Sequence, residues 1–574
     1  MAILSSKREA QLWDFLFLLF VAFPIVTGGV WIHRPHFHLE LTQPGPAAII
    51  LGLWLWWANR NARNLEQDSF VIRTTKTLWA GWCQALKTKE RTALLLAWTF
   101  FGALWFSAAW ARHITFRSGS IDLGIFTNAI WNLSQTGIPF AALKSGHSLL
   151  TDHQSFTIFP ISWIFKFCPG PGILLFLQSF GLASGGIALY LMGKQRLSTA
   201  NLLLPTLPFL FWLYPPNRAA NLFDFHPEVF LLPFFLFAVW GLQEKNWRRK
   251  IIGSLCFLLG MFSKESGGPV AVGIGLAWIA GAAPQSRLKF TRIFSLMAIP
   301  AGIALFYFDT KILPQSLGMP YGYGEVFAPF GSSLSDLAVA PLLYPVEFFS
   351  RLFGPSRLKF LFKLFFPLGF LPLRAPLALI AALPGFCMLF LSFGDQRLSL
   401  GFHYAIEPSV GIFMALAAAC ATLSASHSRK ALLILPWLLL FNYGRGEVFQ
   451  WRAFPLNANQ RWVRAELLPR MDPVATLAAT NALVPHLATR HWSHYIPILE
   501  TEEKKLVDCV LWDRSLNNSP MSGAEENTLA ATLKEKYSLE YECGPITLHR
   551  LKSRDAACAA PIPACPEDVE MHGK

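Results

Sequence analysis

The chain reads as a succession of uncharged apolar runs broken by short polar loops. That is the pattern of membrane-crossing helices, not the alternation of strands or the one-sided periodicity of soluble helices. Runs fall at 15–32, 46–58, 93–110, 172–192, 200–215, 228–242, 251–264, 267–284, 293–308, 355–372, 375–393, 405–425 and 430–443. A crossing needs roughly 20 apolar residues, fewer where neighbouring helices shield its ends. The pattern therefore predicts an all-α polytopic membrane part of about thirteen spans, with 46–58 and 430–443 the shortest. Segments 157–168 and 341–354 carry a charge or are too short to cross, and read as interfacial or re-entrant. The N-terminus has a basic start and no A-x-A-like cleavage site, so its apolar stretch reads as an uncleaved first helix.

After Tyr443 the pattern changes. NQRWVRAELLPRM reads as helix, ATLAAT and VDCVLWD as short strands, ENTLAATLKEKY as an amphipathic helix and ITLHRLK as a closing strand. This predicts a small α/β domain over 444–552, followed by an Ala/Pro-rich extended tail, 553–574.

Composition agrees with the membrane reading. Hydrophobic residues make up 53% of the chain and charged ones only 15%, against about 25% in soluble domains. The formal charge of +14 does not indicate a nucleic-acid partner, because the basic residues sit in short loops between apolar runs. Loop 59–92 carries Arg60, Arg63, Arg73, Lys76, Lys87, Lys89 and Arg91, and further basic loops follow at 194–196, 245–250, 286–292 and 428–430. The positive-inside rule places the N-terminus in the cytoplasm. The loop 111–156 and everything after Tyr443 then lie outside. Of the nine cysteines, Cys509, Cys543, Cys558 and Cys565 fall in that exported part, where oxidation is permitted. At least one disulfide is expected, and Cys558–Cys565 is the shortest loop to close.

Ionisable groups near a bilayer are costly and mark function. On the predicted outer side lie Asp122 in SIDLG, Asp152 and His153 in LTDHQSF, Asp224, His226 and Glu228 in FDFHPE, Lys264 and Glu265 in FSKES, and His403 in GFHY. Ser118 or Ser120 is placed to cap a short helix with Asp122 in its first turn, where the helix dipole favours an ionised carboxylate. Such an acid is a candidate general base; equally, it is an acid that starts a helix. A divalent-metal site from Asp122, Asp152, Asp224 and His226 is conceivable, although the spacing specifies none. Lys264 is a candidate for an anionic ligand, or simply the partner of Glu265.

IDLGIFTNAIWNL, DHQSF, FHPE, KES, GFHY before a span, and DPVATLAATNALVPHLATR together resemble a bacterial membrane-protein family, a domain of unknown function grouped with the GT-C superfamily of glycosyltransferases. The resemblance covers roughly residues 93–550. It makes 1–92 a two-span extension with a basic cytoplasmic loop, and 93–443 a GT-C-like membrane domain in a bacterial cytoplasmic (inner) membrane. It implies an integral membrane glycosyltransferase of the inverting kind, using a polyprenyl-phosphate-linked sugar and an extracytoplasmic acceptor. Asp122 corresponds to the superfamily's acidic residue in the first outer loop. Many members carry two acids there, whereas here Leu123 follows Asp122. Lys264, His226 and Arg218 are the candidates to hold the donor phosphate. Asn481, His486 and Arg490 are candidates to meet the acceptor, or a helix cap and surface charge. A membrane transporter or lipid flippase, or a non-catalytic envelope assembly protein, remains the alternative.

Overall fold

The computed structural model describes residues 14, 30–34, 37–41, 70–198, 201–284, 288–322, 330–331, 334–424, 426–428, 431, 456–516 and 519–566. The expected spans 15–32, 46–58 and 430–443 fall almost wholly outside these residues. Val30–Arg34 and Phe37–Leu41 form an antiparallel hairpin. The basic stretch expected as a loop, 59–92, contains a 19-residue helix, Phe70–Thr88. Its tryptophans explain the ordering: Trp82 packs edge-on against Phe209 and donates its indole N–H to the Pro205 carbonyl at 2.9 Å.

Among the described residues, three helices are long and apolar enough to cross a membrane: Glu90–Ile114, Pro171–Lys194 and Lys289–Ser316. Five shorter apolar helices accompany them: Ile158–Phe167, Pro227–Leu242, Gly267–Ile279, Pro376–Leu391 and Ile406–Ala421. Proline accounts for much of the shortening, since it removes a backbone donor and clashes with the preceding turn. The run expected as one span over 200–215 is broken into Leu204–Thr206, Leu207–Trp212 and Pro215–Leu222, with Pro205, Pro208, Pro215 and Pro216 at the breaks. Likewise the run over 355–372 stops as a helix at Phe365, just before Pro367.

Close packing, not hydrophobic contrast, holds helices together in lipid, and small residues let them approach. Helix Pro171–Lys194 shows the device. Gly185 faces the ring of Phe211 and Gly186 the indole of Trp212, so that a Cβ at either position would fall within 2.5 Å of an aromatic atom. The Trp212 indole also donates to the Ala183 carbonyl at 2.7 Å, so its own N–H is not left bare in the apolar layer. Glu90 and Lys194 pair, which joins the start of one long helix to the end of the other and runs them antiparallel.

The C-terminal residues form a five-stranded mixed sheet in the order Ser493–Tyr495, Leu477–Ala479, Cys509–Asp513, Ile546–Leu551, Tyr537–Cys543. The first three strands are parallel and the last two join antiparallel. Helix Gly523–Lys536 starts on a Ser522–Glu525 capping box. The sheet unit is seated on the membrane part through two buried asparagines. Asn128 donates to the Arg490 carbonyl at 2.7 Å, and Asn132 to that of His491 at 3.2 Å.

The tail, expected to be extended, has little regular structure over 553–566 and is tied to the sheet unit there. The disulfides are Cys509–Cys558 and Cys543–Cys565, not Cys558–Cys565. The backbone adds Asp472 N–H to Cys558 O at 2.8 Å and Ala560 N–H to Arg470 O at 2.8 Å. The short loop between the last two cysteines is cheapest to close, but the folded sheet brings each to a different strand. Closing the 49-residue separation from Cys509 to Cys558 removes unfolded-chain entropy worth about 4 kcal/mol. Peptide mapping of unreduced protein is expected to find the 509–558 and 543–565 links, and Cys509→Ser with Cys558→Ser should lower the melting temperature of the sheet unit. A 558–565 link would contradict the fold of this region.

Candidate functional site

Asp122 sits in the first turn of Ser120–Gly124, a short π-helical turn that continues into the helix Ile125–Thr136. Neither Ser118 nor Ser120 caps it, contrary to the sequence expectation, and no side chain of the N-cap residue does. The exposed N–H groups are instead taken by acceptors far along the chain. Gly119 N–H donates to Asp224 Oδ2 at 2.9 Å and Ser120 N–H to Asn481 Oδ1 at 2.8 Å. Ser120 cannot cap because its own hydroxyl donates to Asn481.

Asp224 comes from the loop 223–226, where it adopts a left-handed backbone with φ 73°. That loop is fixed by Gln178, a buried amide inside the long apolar helix Pro171–Lys194. Gln178 donates to the carbonyls of Asn221 (3.0 Å) and Asp224 (2.7 Å), and its own carbonyl accepts from His226 N–H at 2.8 Å. Arg112 lies beside Asp224 at 3.5 Å. One glutamine thus sets the position of His226, and Asp224 in turn sets the turn that carries Asp122.

The two meet. His226 Nε2 stands 3.2 Å from Asp122 Oδ1, with His226 buried and the Asp122 side chain 29% exposed. Burial opposes charge on the Asp122 carboxyl, but the hydrogen bond and charge of His226 outweigh it and hold the acid below its usual range. Burial likewise disfavours His226 as a cation, and the charges of Glu228 and Asp122 overcome this and raise it. His403 stacks on His226 with ring centroids 3.9 Å apart. Burial, followed by the charge of His226, pushes His403 down to about 4, so it stays neutral beside a cationic neighbour. His403 Nε2 bonds Glu228 at 2.9 Å, and the same carboxylate oxygen accepts from Lys264 Nζ at 3.1 Å. Lys264 also lies 3.6 Å from Glu407, which accepts from Ser266 Oγ at 3.1 Å. Removing one partner from such a buried ionic set leaves a charge without compensation.

These groups border a cavity of about 210 Å³. Its walls include Asp122, His153, His226, Lys264, Glu265, His403 and Glu407, with Tyr321, Arg397 and Tyr404. An apolar cavity of about 510 Å³, walled by Pro269, Val272, Pro300, Ile303, Tyr307 and Pro384 among others, has the wall residue Phe306 in common with it.

The structure therefore gathers Asp122, His153, His226, Lys264, Glu265 and His403 around one cleft, with Glu228 buried behind it. Other sequence candidates lie elsewhere. Asp152 pairs with Lys144, Asp224 works at the helix start, and Arg218 is buried in helix Pro215–Leu222 and is not part of the cleft wall. The metal set Asp122, Asp152, Asp224 and His226 does not converge, because two of its acids are engaged elsewhere. Among the described residues no group of three or more His, Cys, Asp or Glu is placed to hold a metal ion. Asn481, His486 and Arg490 serve the fold. Asn481 holds the Asp122 turn, His486 stacks on His113 at 4.0 Å, and Arg490 donates to the carbonyls of Leu487, Asp472 and Ala475.

Replacing Gln178 by Leu strips partners from three buried backbone groups, each costing about 1–3 kcal/mol when bare. The variant is expected to melt several degrees lower and to release the 223–226 loop, read as faster amide exchange at His226. Exchange unchanged from wild type would show that Gln178 does not set the loop.

The family described as "Predicted membrane protein (DUF2079)" matches residues 112–544. No curated protein matches the chain. Solved structures with a distant likeness include ArnT from Cupriavidus metallidurans bound to undecaprenyl phosphate (TM-score 0.44, 12% identity, 81% of this chain and 99% of that one). The same protein in the apo state gives 0.44 and 13% over 80% and 98%. The archaeal oligosaccharyltransferase AglB from Archaeoglobus fulgidus, in complex with an inhibitory peptide and a dolichol-phosphate, gives 0.36 and 13% over 81% and 75%. The family match runs from the end of the first long helix into the C-terminal sheet and takes in SIDLG, FDFHPE, SKES and GFHY: the chain belongs to the DUF2079 family of membrane proteins.

Proposed function

We propose that this protein transfers a sugar from a polyprenyl-phosphate donor to an acceptor hydroxyl, with inversion, on the extracytoplasmic side of a bacterial inner membrane. The observation that carries the reading is that a polar, charged cleft and a largely apolar cavity share the wall residue Phe306. A ligand with a phosphate-sugar head and a long hydrocarbon tail fits both at once. The family resemblance read from the sequence motifs points the same way.

In this reading the acceptor oxygen attacks the anomeric carbon, and the carbon–oxygen bond to phosphate breaks with its electron pair leaving on the phosphate. The hydroxyl proton goes to Asp122, the partly exposed member of the Asp122–His226 pair. A phosphate leaving group needs little acid assistance, but its developing charge needs a cation. Lys264 is already engaged by Glu228 and Glu407. Arg397 lines the cleft, stacks over Tyr404 at 5.3 Å and has no carboxylate partner among the described residues. We assign Arg397, not Arg218, to the phosphate. The transporter alternative draws on the buried Glu228–Lys264–Glu407 set, since charges within spans also mark ion relays. Transfer by protein in detergent, where there is no compartment to cross, separates the two.

Purified protein screened against polyprenyl-phosphate sugars is expected to show transfer, and Asp122→Asn to abolish it. An Asp122→Asn variant with full activity removes the base assignment, and no transfer with any lipid-linked sugar removes the reading. Arg397→Gln should lower kcat/KM about 10- to 100-fold, as loss of a charge-assisted hydrogen bond does, with kcat falling because the cation meets charge that develops on the leaving phosphate.

The pH dependence has a definite sign. His226 is raised above its ordinary 6.5, so its ion pair with Asp122 is fully present below that pH and is lost as pH rises through the raised value. Asp122 is then a stronger base. The rate kcat/KM should therefore climb above pH 6.5 and flatten in His226→Gln, which keeps a donor but does not titrate. An unchanged limb in that variant would place the titration elsewhere.

A further inference from the structure

Two imidazoles face each other across the seam between the membrane part and the C-terminal sheet unit. His113 stands in the last turn of the long helix Glu90–Ile114, and His486 in the short turn Val484–Leu487. Their rings stack with centroids 4.0 Å apart and planes 17° from parallel. Trp110 lies against His113 at 5.4 Å and Phe116 against His486 at 4.7 Å. His113 is buried and His486 half-buried. Even so, His113 Nδ1 and His486 Nε2 are both shut off from solvent and have no hydrogen-bond partner.

No acid pairs with either ring among the described residues. Asp122, in the turn Ser120–Gly124 against which 484–487 packs, is engaged by His226, and Glu466 by Arg470. The other charged groups on the surrounding elements are cations: Arg112, which lies beside Asp224, with Arg117, Arg218, Arg490 and Arg464. The charge of Arg464 reaches both rings. A proton on either ring sets a cation against its stacked neighbour and Arg464, where water does not solvate it. Burial, opposed by a hydrogen bond with the His113 backbone and aided by Arg464, holds His486 well below its ordinary 6.5.

The segment that carries His486 also holds the turn that carries Asp122. Asn481 accepts from both the N–H and the hydroxyl of Ser120. Val484 packs on Gly124, where a Cβ would come within 3.3 Å of its methyl group. Whatever loosens 481–487 therefore loosens the cleft at Asp122.

We propose that the His113–His486 stack is an acid-sensitive latch: protonation parts the 481–487 segment from the end of the long helix and frees the turn that carries Asp122. No step of this depends on the transferase reading. The sign follows from linkage. A ring that is neutral in the closed form, and titrates at about 6.5 once released, leaves the seam closed above that pH. Below it, each unit of pH favours opening about tenfold per ring.

The test is deuterium exchange, read by mass spectrometry on the purified full-length protein in detergent and corrected for the intrinsic pH dependence of amide exchange. Between about pH 8 and about pH 5, opening in peptides spanning 118–124 and 481–491 is expected to rise about 1000-fold, or about 30-fold for each ring. The strand Ile546–Leu551, inside the sheet unit, is expected to stay protected. His113→Phe with His486→Phe keeps two stacked rings that do not titrate, and should abolish the rise. If the double variant does not fold, as judged by gel filtration, the two single variants decide, each removing about 30-fold. His491 also lies at the seam, 3.3 Å from Asn132, and His491→Gln should keep the rise. A seam equally closed at both pH values overturns the latch, as does a rise that survives the double substitution or is lost in His491→Gln. Equal exposure of 546–551 overturns it too, since acid would then be unfolding the whole sheet unit and not releasing one contact.

Discussion

A charge removed from water must meet an opposite charge or a set of donors, and this constraint organises the centre of the molecule. Glu228 is the case on which most depends. It is almost fully buried at the start of an apolar helix, and it accepts from both Lys264 and His403. Lys264 in turn reaches Glu407, and His403 stacks on His226, which bonds Asp122. Segments more than a hundred residues apart are thereby bound into one set around a cleft. Any one member taken away strands the next.

Backbone groups obey the same rule. The turn carrying Asp122 has no cap of its own and borrows acceptors from Asp224 and Asn481. Asn481 belongs to the C-terminal sheet unit, so that unit is built into the cleft's support and does not merely sit beside it. Asn128 and Asn132 extend the seam by donating to carbonyls at 490 and 491. The order of construction is thus Gln178 to the 223–226 loop, that loop to His226 and Asp224, and these to Asp122.

Much of this was legible in the sequence, and the rest was not for identifiable reasons. The apolar runs located the long helices, and the strands Leu477–Ala479, Cys509–Asp513 and Ile546–Leu551 fall where the C-terminal pattern placed them. Charges grouped in short motifs, as in FDFHPE and SKES, stood out against an apolar background. Single polar residues did not. Gln178 sits in an otherwise apolar run with only Ser179 beside it, and Arg397 in a short outer loop that looks like an ordinary connection, so neither formed a motif. Spacing also misled where long-range pairing decides. Cys558 and Cys565 are near in sequence, yet each is drawn to a separate strand. Asp152 and Asp224 look like site acids until Lys144 and Arg112 are seen beside them.

The central claim is that one ligand occupies the charged cleft and the apolar cavity together, its head beside Arg397 and Asp122 and its tail along Pro269, Pro300 and Tyr307. A cryo-electron microscopy structure of the detergent-purified protein with a polyprenyl phosphate added tests this most directly. The account predicts phosphate density next to Arg397, continuous past Phe306 with a hydrocarbon chain in the apolar cavity. Lipid density on another face, with both cavities empty, would contradict it.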